Sequence, residues 1–303
     1  MIEWGKVLLL AVFFDILFGE PPAFLHPVVW MGKLINIFVG AAPRVHRKLY
    51  GLIMVFFCVG ITVLTIKALE FFVTGIMVIV ISAYFLKSSF SIRMLLFSAI
   101  GIQRDLGKGN IEKVRTDLKT FVGRDTSNLN AHQSASAVIE SLAESFVDGI
   151  LSPLFYFLLF GLPGALACRM INTLDSMVGY KKEPFVKLGY AAARIDDLVN
   201  FVPSRLSLIV IFVSSILFGK PLDAIKICKQ DYNKTASPNS GWPMAAVSGA
   251  LNVRLEKIGY HVIGNNYNDP GYFDIQKAIN LVGFSSFLVI CVIYWIGKIP
   301  LMG

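Results

Sequence analysis

Charge is scarce in this chain. Asp, Glu, Lys and Arg make up 16% of its 303 residues while 55% are hydrophobic, with 24 Phe; a soluble domain carries nearer a quarter charged residues. The shortage excludes an ordinary soluble enzyme and points to an integral membrane protein. Cysteine is also sparse: Cys58, Cys168, Cys228 and Cys291 are scattered with no C-x-x-C, which supports neither a zinc site nor a disulfide framework. His26, His46, His132 and His261 lack ligand spacing. There is no β-type alternation and no internal repeat. The first apolar run holds Asp15 and leads into Gly19-Glu20-Pro21-Pro22 rather than a small-residue cleavage site, so no cleavable signal is expected. The formal charge of +8 suits an anionic lipid surface, the simpler reading, or an anionic substrate. No nucleic-acid partner is expected.

What is present is a series of apolar runs at 5–18, 51–66, 71–86, 150–168, 206–218 and 281–297. A spanning helix needs roughly 20 apolar residues, so several runs depend on their flanks. The runs 51–66 and 71–86, separated by Lys67-Ala68-Leu69-Glu70, read as a helical hairpin. The run 150–168 contains Pro153, Gly161, Pro163 and Gly164, the pattern of a broken or re-entrant helix, which a membrane accepts only where protein or a water-filled cavity covers the backbone. Polar regions occupy 87–149 and 219–280. In the first, Asn110 caps a helix with Val114, Leu118, Phe121 and Val122 on its apolar face, and 134–147 reads as helix. The expected fold is all-α: a polytopic integral membrane helical bundle, one membrane-embedded domain over 1–303 with polar cytoplasmic regions. Lys and Arg in 20–50 (Lys33, Arg44, Arg47, Lys48) and in 87–119 (Lys87 among them) assign both segments to the cytoplasm. If every run crossed, the polar motifs would be split across the bilayer. The run 150–168 is therefore expected not to cross, or the site to lie within the bundle.

Polar side chains stand at short spacings through 137–205, where they are expensive inside a membrane protein and mark a site. Glu140, Glu144 and Asp148 are four apart, one carboxylate stripe on one helix; like charges so placed need a cation opposite them. Mg²⁺ held by one or two carboxylates and substrate phosphates is the usual solution, and a solvated helix face is the plainer alternative. Asn172 and Asp175 share a helix face in NTLDSMVGY, enough to hold one metal or phosphate. In RIDDLVN, Arg194 and Asp197 can form an ion pair while Asp196 and Asn200 point together. Arg205 follows, with a guanidinium suited to phosphate or carboxylate. Ser237, Asn239 and Ser240 belong to the turn sequence SPNSGWP, which can present hydroxyls and N–H groups to an anion, although most such loops are only turns.

The segments DILFGEPPAFLHPVVWMGKLI, ESLAESFVDGILSPLFY, MINTLDSMVGYK, AARIDDLVNFVPSRL and SPNSGWPMAAVSGAL, in this order, resemble the CobD/CbiB family, the membrane-bound adenosylcobinamide-phosphate synthases of cobalamin biosynthesis. One departure is Ser145, where the family usually has Asn. The resemblance implies a ligase that couples the amine of aminopropanol, or aminopropanol phosphate, to a corrin propionate of adenosylcobyric acid. Amide formation from a carboxylate needs activation, so ATP and Mg²⁺ are the expected cofactors, with the corrinoid as substrate. On this reading Asp175, Asp196 and Asp197, with Glu140 or Glu144, hold Mg²⁺ and nucleotide phosphates. Arg194, Arg205 and the 237–241 loop neutralise phosphate charge, with Asn172 and Asn200 beside them, and a remaining carboxylate of the 140–148 stripe takes the ammonium proton. Expected surroundings are membrane lipid in the cell's cytoplasmic membrane and other enzymes of the same pathway. Two other classes stay open: a Mg²⁺-dependent membrane phosphotransferase or prenyltransferase, which favours repeated D-x-x-x-D spacing, and an ion-coupled transporter, which favours charges spread over several spans.

Overall fold

The computed structural model describes residues 4–123, 125–180 and 182–297. Its helices, in chain order, are α1 Trp4–Phe18, α2 Pro27–Gly40, α3 Arg47–Phe72, α4 Ile76–Ser89, α5 Ile92–Gly107, α6 Ile111–Phe121, α7 Ala131–Phe146, α8 Ser152–Val178, α9 Phe185–Leu188, α10 Tyr190–Val199, α11 Phe201–Phe218, α12 Pro221–Asp231, α13 Gly241–Leu251 and α14 Tyr272–Ile296. A π-helical turn, Val147–Leu151, joins α7 to α8. Among the described residues five helical stretches are long and apolar enough to cross a bilayer: Arg47–Phe72, Ile76–Gly107, Ala131–Val178, Phe201–Phe218 and Tyr272–Ile296. The protein is an all-α multi-pass membrane protein. Two compact units divide the chain. The first takes the residues up to Ser91, Ser152–Asn200 and those from Ile290 on; the second takes Ile92–Leu151 and Phe201–Val289.

In the first unit α3 continues through Lys67 and Glu70, which pair at 3.1 Å on the helix surface. The hairpin turn therefore falls at 73–75, not at 67–70: an i,i+3 pair is compatible with helix, and the break waits for Gly75 with φ +67°. One end of the unit is marked by Gly51 against the Leu188 carbonyl and by Lys48 over the Tyr190 ring. The other is marked by Trp4, Lys67, Gly161 and Tyr294, which line one cavity. The apolar helix α2 was not among the runs read from the sequence. It starts at Pro27, and His26 caps it by accepting from the Val28 N–H at 3.2 Å.

Helix α8 reverses within itself. Gly161 has φ +65° and ψ −157°, and Pro163 follows; only glycine tolerates that backbone, and proline has no N–H for the helix ladder. A Cβ on Gly164 would lie 2.4 Å from the Tyr156 carbonyl oxygen. Ser152 Oγ lies 2.5 Å from Asn200 Oδ1, and Asn172 stands close enough to Asp196, one turn earlier on α10, to lower its carboxyl. Ser152 and Asn172 would be about 30 Å apart in an unbroken helix. The arm 152–160 thus enters and the arm 162–178 returns, so 150–168 is not a single crossing.

The second unit holds nearly all of both polar regions. Asn110 Oδ1 caps α6 by accepting from the Lys113 N–H at 3.3 Å, and Val114 and Leu118 are fully buried. Asn130 and Gln133 form a reciprocal capping box at the start of α7. Helix α13 is buried from Pro243 to Leu251 against α11 and α12. After it comes a small departure from helix within the all-α fold. The strands Leu255–Lys257 and His261–Ile263 form an antiparallel hairpin, turned by Gly259 at φ +76° and too short for alternation to announce it.

Candidate functional site

Three carboxylates from two helices lie within electrostatic reach of one another in the first unit. Asp175 lies on the returning arm of α8, Asp196 and Asp197 on α10. Asp175 is accommodated by Gly179, where a Cβ would stand 2.0 Å from Asp175 Oδ1. Asp196 Oδ2 accepts from Asn200 Nδ2 at 3.0 Å, and Asn200 Oδ1 accepts from Ser152 Oγ at 2.5 Å. Ser152 and Asn200 are buried, so this chain of hydrogen bonds fixes the orientation of Asp196. Among the described residues its other oxygen, Oδ1, is buried without a hydrogen-bond partner. Burial, and next the Asp175 carboxylate, push the Asp196 carboxyl up to about 7 against the pull of its Asn200 and Asn172 bonds. Arg169 Nη1 reaches Asn172 Oδ1 at 3.4 Å. Arg194 pairs loosely with Asp197 at 3.7 Å, the ion pair anticipated from RIDDLVN.

An unsatisfied buried carboxylate oxygen beside a second carboxylate is a place for a cation. Among the described residues no three His, Cys, Asp or Glu side chains converge as a ready-made metal cage. Asp175 and Asp196 supply the few hard oxygen donors that Mg²⁺ takes from protein when phosphates and water complete its shell. The residues present fit such an ion.

A second acidic pocket in the same unit has a buried cation between its two carboxylates. Lys87 Nζ is 2.6 Å from Glu20 Oε2 and 3.4 Å from Asp15 Oδ1. Glu20 also meets His26 Nε2 at 2.8 Å and accepts from Ser91 Oγ. Burial alone would raise the Glu20 carboxyl; the bonds from His26, Lys87 and Ser91 overcome it and hold the group at about 2. His26 uses Nδ1 for the Val28 N–H, so its proton sits on Nε2 toward Glu20. Lys87, assigned to the cytoplasm by its charge, is buried at 2% exposure as the counter-ion of this pocket.

In the second unit the 140–148 stripe does not share one environment. Glu140 is 4% exposed, accepts from Ser136 Oγ at 3.2 Å and lies 3.5 Å from His261 Nε2. Glu144 is exposed, and Asp148 is half-buried in the π-helical turn. Arg205 Nη1 donates to Asn239 Oδ1 at 2.8 Å and to the Phe201 carbonyl at 2.8 Å. Its guanidinium stacks on Phe201 at 3.6 Å. Arg205 thus clamps the SPNSGWP loop, in which Ser237 Oγ accepts from the Asn239 N–H at 3.2 Å and Ser240 precedes α13. Sequence reading missed Ser152, Gly179, Lys48 and His261. Only Ser152, a hydroxyl inside an apolar run, carried a local signal.

Residues 8–282 match the family model described as CobD/Cbib protein. The chain is 42% identical over 268 residues, 86% of each sequence, to "Cobalamin biosynthesis protein CobD" of Dehalococcoides mccartyi. It is 40% identical to "Probable cobalamin biosynthesis protein CobD" of Methanothrix thermoacetophila, covering 92% of each. To "Cobalamin biosynthesis protein CobD" of Klebsiella pneumoniae it is 34% identical, over 93% of this chain and 95% of that one. No solved structure matches.

Proposed function

Since the chain belongs to the CobD/CbiB family and so has a role in cobalamin biosynthesis, we propose that it is an amide-forming ligase joining aminopropanol phosphate, or aminopropanol, to a propionate carboxylate of adenosylcobyric acid. The observation that carries the chemical part is the buried, unpartnered Oδ1 of Asp196 beside Asp175. Asp175 and Asp196, with Asp197 adjoining, would hold Mg²⁺, which supplies neutralisation of ATP phosphate charge. Asn200, held by Ser152, keeps Asp196 Oδ2 occupied, which leaves Oδ1 for the ligand. Arg194 meets phosphate oxygens next to Asp197. Activation transfers a phosphoryl group from ATP to the propionate; the amine then attacks the acyl carbon, and phosphate leaves. Before that attack the ammonium must lose a proton, and Glu140, Glu144 and Asp148 are the carboxylates to test for that role.

Sidedness supports a cytosolic substrate. The end of the first unit that carries α9 and α10 also carries Arg47 and Lys48, with Lys182, Lys187 and Arg194 close in sequence. The turn at 73–75 at the other end of α3 has no Lys or Arg. By the positive-inside rule the carboxylate end is cytoplasmic, in the cell's cytoplasmic membrane. The test is amide formation by the purified protein in detergent with adenosylcobyric acid, aminopropanol phosphate, ATP and Mg²⁺, read by chromatography. Product that requires both ATP and Mg²⁺ supports the ligase. Product without ATP removes the phosphoryl step, and no product from folded protein overturns the reading.

A further inference from the structure

Beside the carboxylates, two cations from distant parts of the chain share one aromatic ring. Lys48 Nζ on α3 stands 4.8 Å from the centroid of Tyr190, and the Arg194 guanidinium on α10 stands 5.6 Å from it. The ring is half exposed, as is Arg194, whose side chain is 65% accessible. Among the described residues Lys48 makes no ion pair or hydrogen bond, and Arg194 has only its loose approach to Asp197 at 3.7 Å, beyond hydrogen-bond reach. Among the described residues no protein acceptor stands within hydrogen-bond distance of the N–H groups of either cation. Like charges drawn to one ring repel each other. The stacking preorganises the pair without neutralising it.

We propose that Lys48, Tyr190 and Arg194 form an anion subsite that receives the phosphate of a soluble phosphate ester whose remaining part extends toward Asp175 and Asp196. This rests on the ligase reading for its place beside the reacting groups. A phosphate offers several acceptor oxygens to two donor-rich cations, which water or a single carboxylate does not match. Tyr190 holds the two cations at fixed positions, so less side-chain entropy is lost on binding. Three sources of phosphate share this chemistry: the phosphorylated amino alcohol, the nucleotide, and an anionic lipid headgroup. The neighbouring carboxylates favour a ligand that also carries an ammonium or a bound metal ion, which selects the soluble esters.

The experiment uses the full chain in nanodiscs of zwitterionic lipid, titrated calorimetrically with O-phosphoethanolamine, with ATP plus Mg²⁺, and with ethanolamine. Expected is a loss of about tenfold or more in affinity for one phosphorylated ligand in Lys48→Ala and in Arg194→Ala. Lys48→Arg should recover most of it, and ethanolamine binding should not change. Which ester weakens identifies the source. Unchanged affinity for both esters in variants that melt like the parent overturns the subsite. So does a Lys48 effect that appears only with anionic lipid, which makes the occupant a headgroup. If Lys48→Ala does not fold, Lys48→Gln gives the same comparison. Lys48-dependent binding without amide product keeps the subsite and removes the ligase. Amide product with kinetics unchanged in Lys48→Ala does the reverse.

Discussion

The first unit contains two groups of buried carboxylates that the chain treats in opposite ways. Around Asp15 and Glu20 a buried cation is built in: Lys87 lies within ion-pair distance of both, and His26 and Ser91 add hydrogen bonds to Glu20. Around Asp175 and Asp196 the near partners are amides and other carboxylates, and among the described residues Asp196 Oδ1 is left without a hydrogen-bond partner. The result is two acidic side chains of the same unit at opposite extremes, Glu20 at about 2 and Asp196 at about 7. Carboxylates with a built-in cation hold a fold together; carboxylates left facing one another in a half-buried setting await a ligand.

Breaking each group separately is the direct test. Asp196→Asn keeps the Asn200 contact close to its present shape but removes the charge that holds a cation. Turnover should fall by roughly a thousandfold while thermal stability is unchanged or higher. Substantial remaining activity would show that Asp196 is no metal ligand. Lys87→Met does the reverse, because it leaves Asp15 and Glu20 buried without a counter-ion. A loss of about 3–5 kcal/mol is expected, read as a lowered melting temperature in detergent, with normal kinetics in whatever protein remains folded below it. A Lys87→Met protein as stable as the parent would mean that the pocket is not the structural one.

A finer test acts through the hydrogen bonds. Ser152→Ala deletes the donor that orients Asn200 and through it Asp196. Mg²⁺-dependent stabilisation should weaken by about tenfold in apparent affinity, with a shift in the pH midpoint of turnover that a purely structural loss would not produce. No shift in either quantity would leave Ser152 a packing residue. Ser152 also shows where sequence reading ends. Apolar runs gave the helical membrane class, and the i,i+4 spacing of Asp196 and Asn200 gave their contact on α10, because both depend on helix periodicity alone. The break at Gly161 was legible from Gly161 and Pro163. That it folds Ser152 back to Asn200 was not, since reversal depends on which arm packs against α10. Lys48 and Tyr190 lie too far apart in sequence for any spacing to join them. The differing surroundings of the 140–148 carboxylates escaped spacing for the same reason: the β-hairpin that packs on Glu140 while Glu144 stays exposed is a tertiary event.

The smallest expected effect is a pair of opposed pH slopes. Asp196 is raised from an ordinary 3.8 to about 7, so its contribution to stability is complete below about pH 4 and is lost as pH rises through about 7. Glu20 is lowered from 4.5 to about 2, so its contribution is complete above about pH 4.5 and is lost as pH falls toward 2. Melting temperatures measured in chelator from about pH 5 to about pH 9 should therefore decline through neutrality in the parent and stay flatter in Asp196→Asn. Adding Mg²⁺ should reverse the decline, because the ion needs the deprotonated carboxylate and displaces its proton. Apparent affinity then rises by up to about tenfold per pH unit below 7 and levels off above it. A Lys87→Met background should leave that Mg²⁺ dependence in place, since Lys87 pairs only with the other carboxylate group. If the two substitutions move the same pH slope, the groups are electrostatically one, and the division between a structural and a ligand-binding cluster fails.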